Sequence, residues 1–400
     1  MRSHLTSWTD LLTNLGFTLK KRHSLSAAKL SYGRRPQFEQ CEDRRMLATY
    51  TVNVDYDVAA PFNLNDNIVT LREAIFQANQ SANLDTIDFD SDLNSATITL
   101  GKDEQGNSIG TGELTITESV TIDGTIDGAG SSEELLGITI DAGNGTDEQF
   151  NTQDGFRAFS ISRGSGQVEF NGLTLTGGDG SSGGGGAIYS GSDLTIKNTV
   201  ITGNASYQGG GIYSFDSDLS LEDSMISGNV SVGTNGGGIY FYSYFLNQHL
   251  LSVVSSEITG NSTPLFGGGI CVRGFLPSAD IQSSNISGNQ SGRSGGGIYF
   301  KGINLDLGSG STIQGNNGGF HGGGLYASST GGSVAIDNST FDDNKVTSVI
   351  GQFGYDGEGG GAYIITSNST VTITDGLVEQ FVKTSRKSGW NGNPTPVYGD

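Results

Sequence analysis

The chain has 400 residues, a net charge of −21, 64 Gly, 6 Pro and 2 Cys. Glycine without a three-residue period excludes collagen, and charged residues at 16 % exclude a highly charged disordered chain. Cys41 and Cys271 alone exclude a disulfide framework and a cysteine-ligated zinc site, and no stretch approaches the roughly 20 apolar residues of a membrane span.

Residues 1–48 read as a basic leader. They carry nine Lys/Arg and four Asp/Glu, a net +5, which leaves 12 and 38, or −26, for the rest. An acidic body repels nucleic-acid backbones, so no nucleic-acid partner is expected; it can hold Ca²⁺ loosely. The apolar positions Leu5, Trp8, Leu11, Leu12, Leu15 and Phe17 are interrupted by polar ones, unlike the unbroken core of a secretory peptide. The segment Phe38-Glu39-Gln40-Cys41-Glu42-Asp43-Arg44-Arg45-Met46-Leu47-Ala48 resembles the Leu-Glu-x-Arg-x-Leu-Leu segment that opens many large planctomycete surface and secreted proteins. Arg44, Arg45, Met46 and Leu47 carry the match. That resemblance implies export, to the medium or to the cell surface or outer membrane, and a mature chain beginning near Thr49.

Residues 49–95 read as a capping module. Thr51 to Val54 and Asp85 to Phe89 alternate as strands, while Leu71 to Asn79 places apolar residues at helical spacing, with Asn67 or Thr70 available as a cap. A solenoid's first coil has a naked apolar end, and a short amphipathic helix would cover it. The string Leu71-Arg72-Glu73-Ala74-Ile75, with Asp85-Thr86-Ile87-Asp88-Phe89 after it, resembles the Leu-Arg-Glu-Ala-Ile module at the start of many bacterial secreted β-helix proteins. On this reading Arg72 and Glu73 are cap surface residues.

Residues 96–373 carry the repeat. Its early coils, over 96–172, are degenerate. Beyond them Gly186-Ala187-Ile188-Tyr189 returns at Tyr213, Tyr240, Cys271, Tyr299, Tyr326 and Tyr363, with gaps of 24, 27, 31, 28, 27 and 37 residues by subtraction. An Ile-x-Gly-Asn phrase interleaves with it, ending at Asn204, Asn229, Asn261, Asn289 and Asn316, and as Phe341-Asp342-Asp343-Asn344. Two phrases sharing one period mean stacked units. Three short strands in about 22–28 residues predict an all-β, right-handed parallel β-helix. Alternation turns Ile212 and Ser214 inward and Tyr213 outward, and the Asn column forms a ladder of turn amides. Gly185-Gly186-Ala187-Ile188 and Phe341 to Asn344 resemble the repeats of the chlamydial polymorphic membrane proteins, surface adhesins with a C-terminal membrane barrel. The resemblance implies a passenger-like fold in adhesion. No barrel pattern is expected here, and residues 374–400 read as an irregular tail.

Catalytic motifs are missing: there is no Gly-x-Ser-x-Gly, no His-Glu-x-x-His, and no Lys in the Gly run at 183–186. His4, His23, His249 and His321 form no pair at metal-ligand spacing, and His321 reads as a solvated turn residue. Aligned second strands stack Thr195, Ser220, Ser252, Asp280, Asp306 and Ala335 outward. Asp280 and Asp306 are then neighbours about 4.8 Å apart, weak candidates for a carboxylate pair or a Ca²⁺ site. The first-strand face holds Tyr213, Phe215, Tyr240, Tyr242, Tyr299, Arg273 and Lys301, a stripe that would stack on sugar rings or stabilise itself by cross-strand contact. The expectation is a non-catalytic module for an extracellular glycan or protein surface, without a metal or cofactor of its own. A polysaccharide lyase or glycoside hydrolase, or a purely structural envelope protein, is the alternative.

Overall fold

The computed structural model describes residues 47–110, 112–126, 137–143, 155–180, 183–245, 247–347, 359–374, 377–378, 381–385 and 397–398. They belong to one compact unit. The leader expected over 1–48 lies outside them, except for its last two residues.

One coil shows how the pattern folds. Ile212–Phe215, Leu219–Glu222 and Met225–Ser227 are its three expected strands, and Val230–Ser231 is a fourth. Two residues cannot display an alternation, so sequence periodicity misses that strand. Each strand pairs in parallel with its counterparts one coil before and one after: Ile212 with Ile188 and Ile239, Leu219 with Leu194 and Leu251, Ile226 with Ile201 and Ile258. The third and fourth strands build sheets of ten and seven strands, and the first two share a 20-stranded sheet. Those two merge because Ile298–Gly308 and Leu325–Asp337 run through the corner unbroken. The chain is a parallel β-solenoid.

The corner before each first strand needs glycine. Gly267 has φ +68°, and a Cβ on Gly268 would lie 2.3 Å from the Gly296 carbonyl of the next coil. No side chain fits so close a backbone approach. Beyond the corner, alternation fills the interior. Ile188, Ile212, Ile239, Ile270 and Ile298 stack in one column and Ile201, Ile226, Ile258, Ile286 and Ile313 in another, all fully buried. Each such side chain contributes about 1.5–3 kcal/mol relative to exposure.

Two polar ladders run beside these columns. In the first, Asn204, Asn229, Asn261, Asn289 and Asn316 each donate from Nδ2 to the Oδ1 of the following Asn at 3.0 Å, ending at Asn344. The same Oδ1 also accepts the preceding Asn backbone N–H at 2.9–3.1 Å. Each Nδ2 further donates to a core carbonyl, as Asn261 does to Ile226 at 2.8 Å. Every amide is engaged within the protein, so the ladder is structural. The second ladder is one of hydroxyls. Thr199, Ser224, Ser256 and Ser284 donate their backbone N–H to the Oγ of Ser224, Ser256, Ser284 and Ser311 at 3.1–3.3 Å. Each hydroxyl sits five residues before its ladder Asn, a regularity the sequence displays and the reading above overlooked.

The N-terminal module closes the stack. Helix α1, Leu71–Ala78, starts at Thr70, whose hydroxyl accepts the Glu73 N–H at 3.2 Å. Leu71, Ala74, Ile75 and Ala78 join the core. Asn79 then imitates a strand: it donates to the Thr115 carbonyl and accepts the Thr117 N–H, both at 2.8 Å. That satisfies the edge of Leu114–Ile116, which would otherwise invite pairing. Arg72 and Glu73 are not surface residues. Arg72 Nη2 meets the buried Asp57 at 2.6 Å and the Gly112 carbonyl at 2.7 Å, and Glu73 is almost wholly covered. Asp57 and the carbonyls of Gly112 and Glu113, from the loops around the helix, enclose Arg72.

Within the segment read as an irregular tail, Leu377–Val378 pairs with Thr340–Phe341, and Phe381–Ser385 pairs with Ala362–Thr366. Free N–H and C=O groups on the preceding coil recruit this backbone although the repeat phrases have stopped.

Candidate functional site

The first-strand face has two layers. Nearest the backbone are the repeat tyrosines, in register along the axis. They do not form an exposed stripe: Tyr213, Tyr240 and Tyr299 are only 7, 6 and 7 % exposed. Tyr213 stacks on Tyr240 with centroids 5.1 Å apart, and Tyr299 stacks on Tyr326 at 4.8 Å. Burial pushes all three phenol pKa values up. The rings form a small second core outside the coil, which turn residues cover. His321 belongs to it as well, stacked 4.6 Å from Tyr363 and half-buried rather than solvated.

Cys271 interrupts the column and is itself buried, its thiol pKa raised by desolvation. The missing ring is supplied from elsewhere. Phe266, in the turn before that strand, lies 4.7 Å from Tyr299. That is one rung, about 4.8 Å. Tyr326 already occupies the other side of Tyr299, so Phe266 takes the place a Tyr at 271 would fill.

The outer layer continues along the same strands. Phe215, Tyr242, Arg273, Lys301 and Ser328 are successive register partners, as alternation requires. Phe215, Tyr242 and Arg273 are half-buried, and Lys301 is exposed. Beside them lies an aromatic corner that strand alternation does not reveal. Tyr244, Phe245 and Phe275 are 51, 48 and 62 % exposed. Tyr244 lies 5.3 Å from Phe245, 6.2 Å from Phe275 and 6.3 Å from Tyr242.

Asp216 holds this corner together. Its carboxylate accepts the backbone N–H groups of Tyr244 and Phe245, and Arg163 Nη2 meets it at 2.9 Å. The Arg163 guanidinium lies 5.2 Å from the Phe215 ring and 5.1 Å from that of Phe245. Hydrogen bonds thus fix a set of exposed rings, a costly display for a surface that only excludes water. One sequence signal pointed here: Asn229 to Asn261 spans 32 residues, the longest gap of its phrase. The extra chain is the connection between Ile239–Ser243 and Leu250–Val254, which carries Tyr244 and Phe245.

The second-strand face is different. Thr195, Ser220, Ser252, Asp280, Asp306 and Ala335 do stack in register. Asp280 and Asp306 are cross-strand partners, and Asp280 Oδ1 accepts from Gln282 Nε2 at 2.6 Å. Among the described residues, no three His, Cys, Asp or Glu side chains converge as a metal site would require. A groove of about 430 Å³ runs along the next corner past Asn198, Asp223, Ser255 and Glu257, and no aromatic or cationic residue lines it. No helix among the described residues is long and apolar enough to cross a membrane.

The chain's architecture is that of a parallel β-solenoid. Beyond that class, it matches no protein-family model, no curated protein and no solved structure.

Proposed function

We propose that this chain is an exported, non-catalytic β-solenoid that binds glycan or matrix material at the aromatic corner. The observation that carries the proposal is the exposure of Tyr244 and Phe245, on a connection pinned by Asp216, and of Phe275 beside them. Flat rings held still offer stacking area to sugar rings at little entropic cost. The resemblances of residues 38–48 and 71–75 support export, and those of residues 185–188 and 341–344 support adhesion. Asp280 and Asp306 have no Arg, Lys or His in their column, which favours binding over turnover.

The test is a glycan array probed with the purified chain, with the same wells assayed for released reducing ends. Binding without release is expected. Y244A/F275A should abolish binding while leaving the melting temperature within about 2 °C, since both rings are exposed. D216A should weaken binding as the connection loses its anchor. Equal binding by wild type and Y244A/F275A refutes the corner. Sugar release that D280N abolishes moves the assignment to an enzyme on the second-strand face.

A further inference from the structure

Charge is distributed by face in this molecule. Residues 49–400 carry 38 acids and only 12 Lys/Arg. In so acidic a body a cation finds a carboxylate partner easily: Arg72, Arg163, Lys197 and Lys345 all do. Arg273, Arg293 and Lys301 do not. Among the described residues no carboxylate lies within ion-pair distance of any of the three. No acid stands in either first-strand column, from Tyr189 to Tyr363 or from Phe215 to Ser328.

The three are also placed together. The Arg273 guanidinium lies 5.5 Å from the Phe266 ring and 5.8 Å from Tyr299, and Arg293 lies 5.9 Å from the same Phe266 ring. Lys301 is the register partner of Arg273, one rung on. Ring faces hold the two guanidinium planes without neutralising them. Their N–H edges are left for an acceptor, and guanidinium binds carboxylate or sulfate in bidentate fashion. The aromatic corner adjoins directly, since Tyr242 is Arg273's partner on the other side and Phe275 follows two residues later. The rung spacing of about 4.8 Å is close to the length of one sugar ring, so a chain lying along the axis could present an anionic group to successive rungs.

We infer that Arg273, Arg293 and Lys301 form an anion-binding platform, and that the ligand of this face is an acidic polysaccharide. The inference rests on the corner being a saccharide surface, and it adds the ligand's charge and the residues that read it. Neutral polysaccharides lack the groups these cations require.

Affinity electrophoresis of the full chain tests this, in gels containing polygalacturonate, a sulfated galactan or a neutral mannan, at low and high salt. Retardation by an acidic polymer but not by mannan is expected, and it should fall as salt rises. K301E and R273Q/R293Q should each weaken it about tenfold or more. R293K keeps the charge but loses the bidentate edge, so it should weaken retardation less than R273Q/R293Q does. Lys301 is exposed and has no carboxylate partner among the described residues, so K301E tests the platform without disturbing the fold. Whichever of the two acidic gels retards the chain tells carboxylate from sulfate. Equal retardation by mannan, salt-independent retardation, or unchanged retardation of K301E overturns the inference. The corner reading then still stands if Y244A/F275A loses retardation. If Y244A/F275A binds acidic polymer normally while K301E does not, the platform stands and the corner falls. No retardation by either acidic polymer overturns the platform.

Discussion

Replacing Asn261 by Ala should cost far more than one surface amide. Its Oδ1 accepts both the backbone N–H and the Nδ2 of Asn229, at 2.9 and 3.0 Å. Its Nδ2 donates to the Ile226 carbonyl at 2.8 Å and to Asn289 Oδ1 at 3.0 Å. Asn289 Oδ1 keeps its second donor, the Asn261 backbone N–H, so it is not orphaned. The Asn229 backbone N–H has no such reserve, and Nδ2 keeps only the Ile201 carbonyl, at 2.9 Å, for its two hydrogens. Both groups sit in a fully buried residue that water does not reach. Each unsatisfied buried donor costs about 1–3 kcal/mol, so N261A should lose about 2–6 kcal/mol. Asn204 supplies an internal comparison. Its Oδ1 accepts only the Gly178 N–H, at 2.9 Å, so N204A orphans one donor and should cost about half as much. Urea unfolding followed by circular dichroism measures the difference, and hydrogen exchange over residues 224–232 locates it. Equal costs for the two variants, or unchanged exchange at Asn229, would refute the ladder as an energetic unit.

Two further predictions concern packing and protonation. C271Y should overpack the second core by about 1–3 kcal/mol, because Phe266 already fills the gap. F266A in the same chain should recover much of that loss, and strictly additive melting shifts would show that the two side chains do not share a site. Glu73 has its carboxyl pKa raised, chiefly by burial and then by Asp66, with the Thr70 backbone N–H opposing. A carboxyl with a raised folded pKa takes up protons on folding. Its stabilising contribution is therefore present below the unfolded pKa, about 4.3, and is lost as pH rises through the folded value. E73Q should gain melting temperature relative to wild type between pH 4 and pH 7; a pH-independent difference would contradict this.

The features legible in the sequence are those that repeat. Ile212 and Leu219 declare the inward faces by alternation, and Asn204 to Asn344 mark the ladder by recurring at one phase. The second-strand register, through Asp280 and Asp306, follows from the same counting. Exposure did not follow. Alternation assigns Tyr213 and Tyr240 to the outside of a strand, but it cannot tell that turns fold over them. The same limit applied to Arg72 and Glu73, whose helical positions say nothing about the loops that enclose them. Val230–Ser231 and its counterparts were invisible because a two-residue strand has no period. The Thr199 to Ser311 hydroxyl column was visible and overlooked, since serine is common enough in this chain to pass for turn composition.

In a solenoid, what serves the fold repeats and what serves a particular ligand does not have to. The coils around residues 239–301 depart from the repeat in three separate ways. The connection after Ser243 is lengthened and carries exposed rings. Cys271 gives up the column tyrosine, and Phe266 takes its place from the turn. Arg273, Arg293 and Lys301 then bring three cations, without carboxylate partners among the described residues, into a body that is otherwise acidic. None of these departures improves the stack: the neighbouring coils manage with a shorter connection and a regular Tyr. Exposing aromatic area and gathering like charges both carry a free-energy cost in the free protein. That both costs fall on adjacent rungs of one face is the physical reason to place the ligand there, and not on the more regular face that carries Asp280 and Asp306.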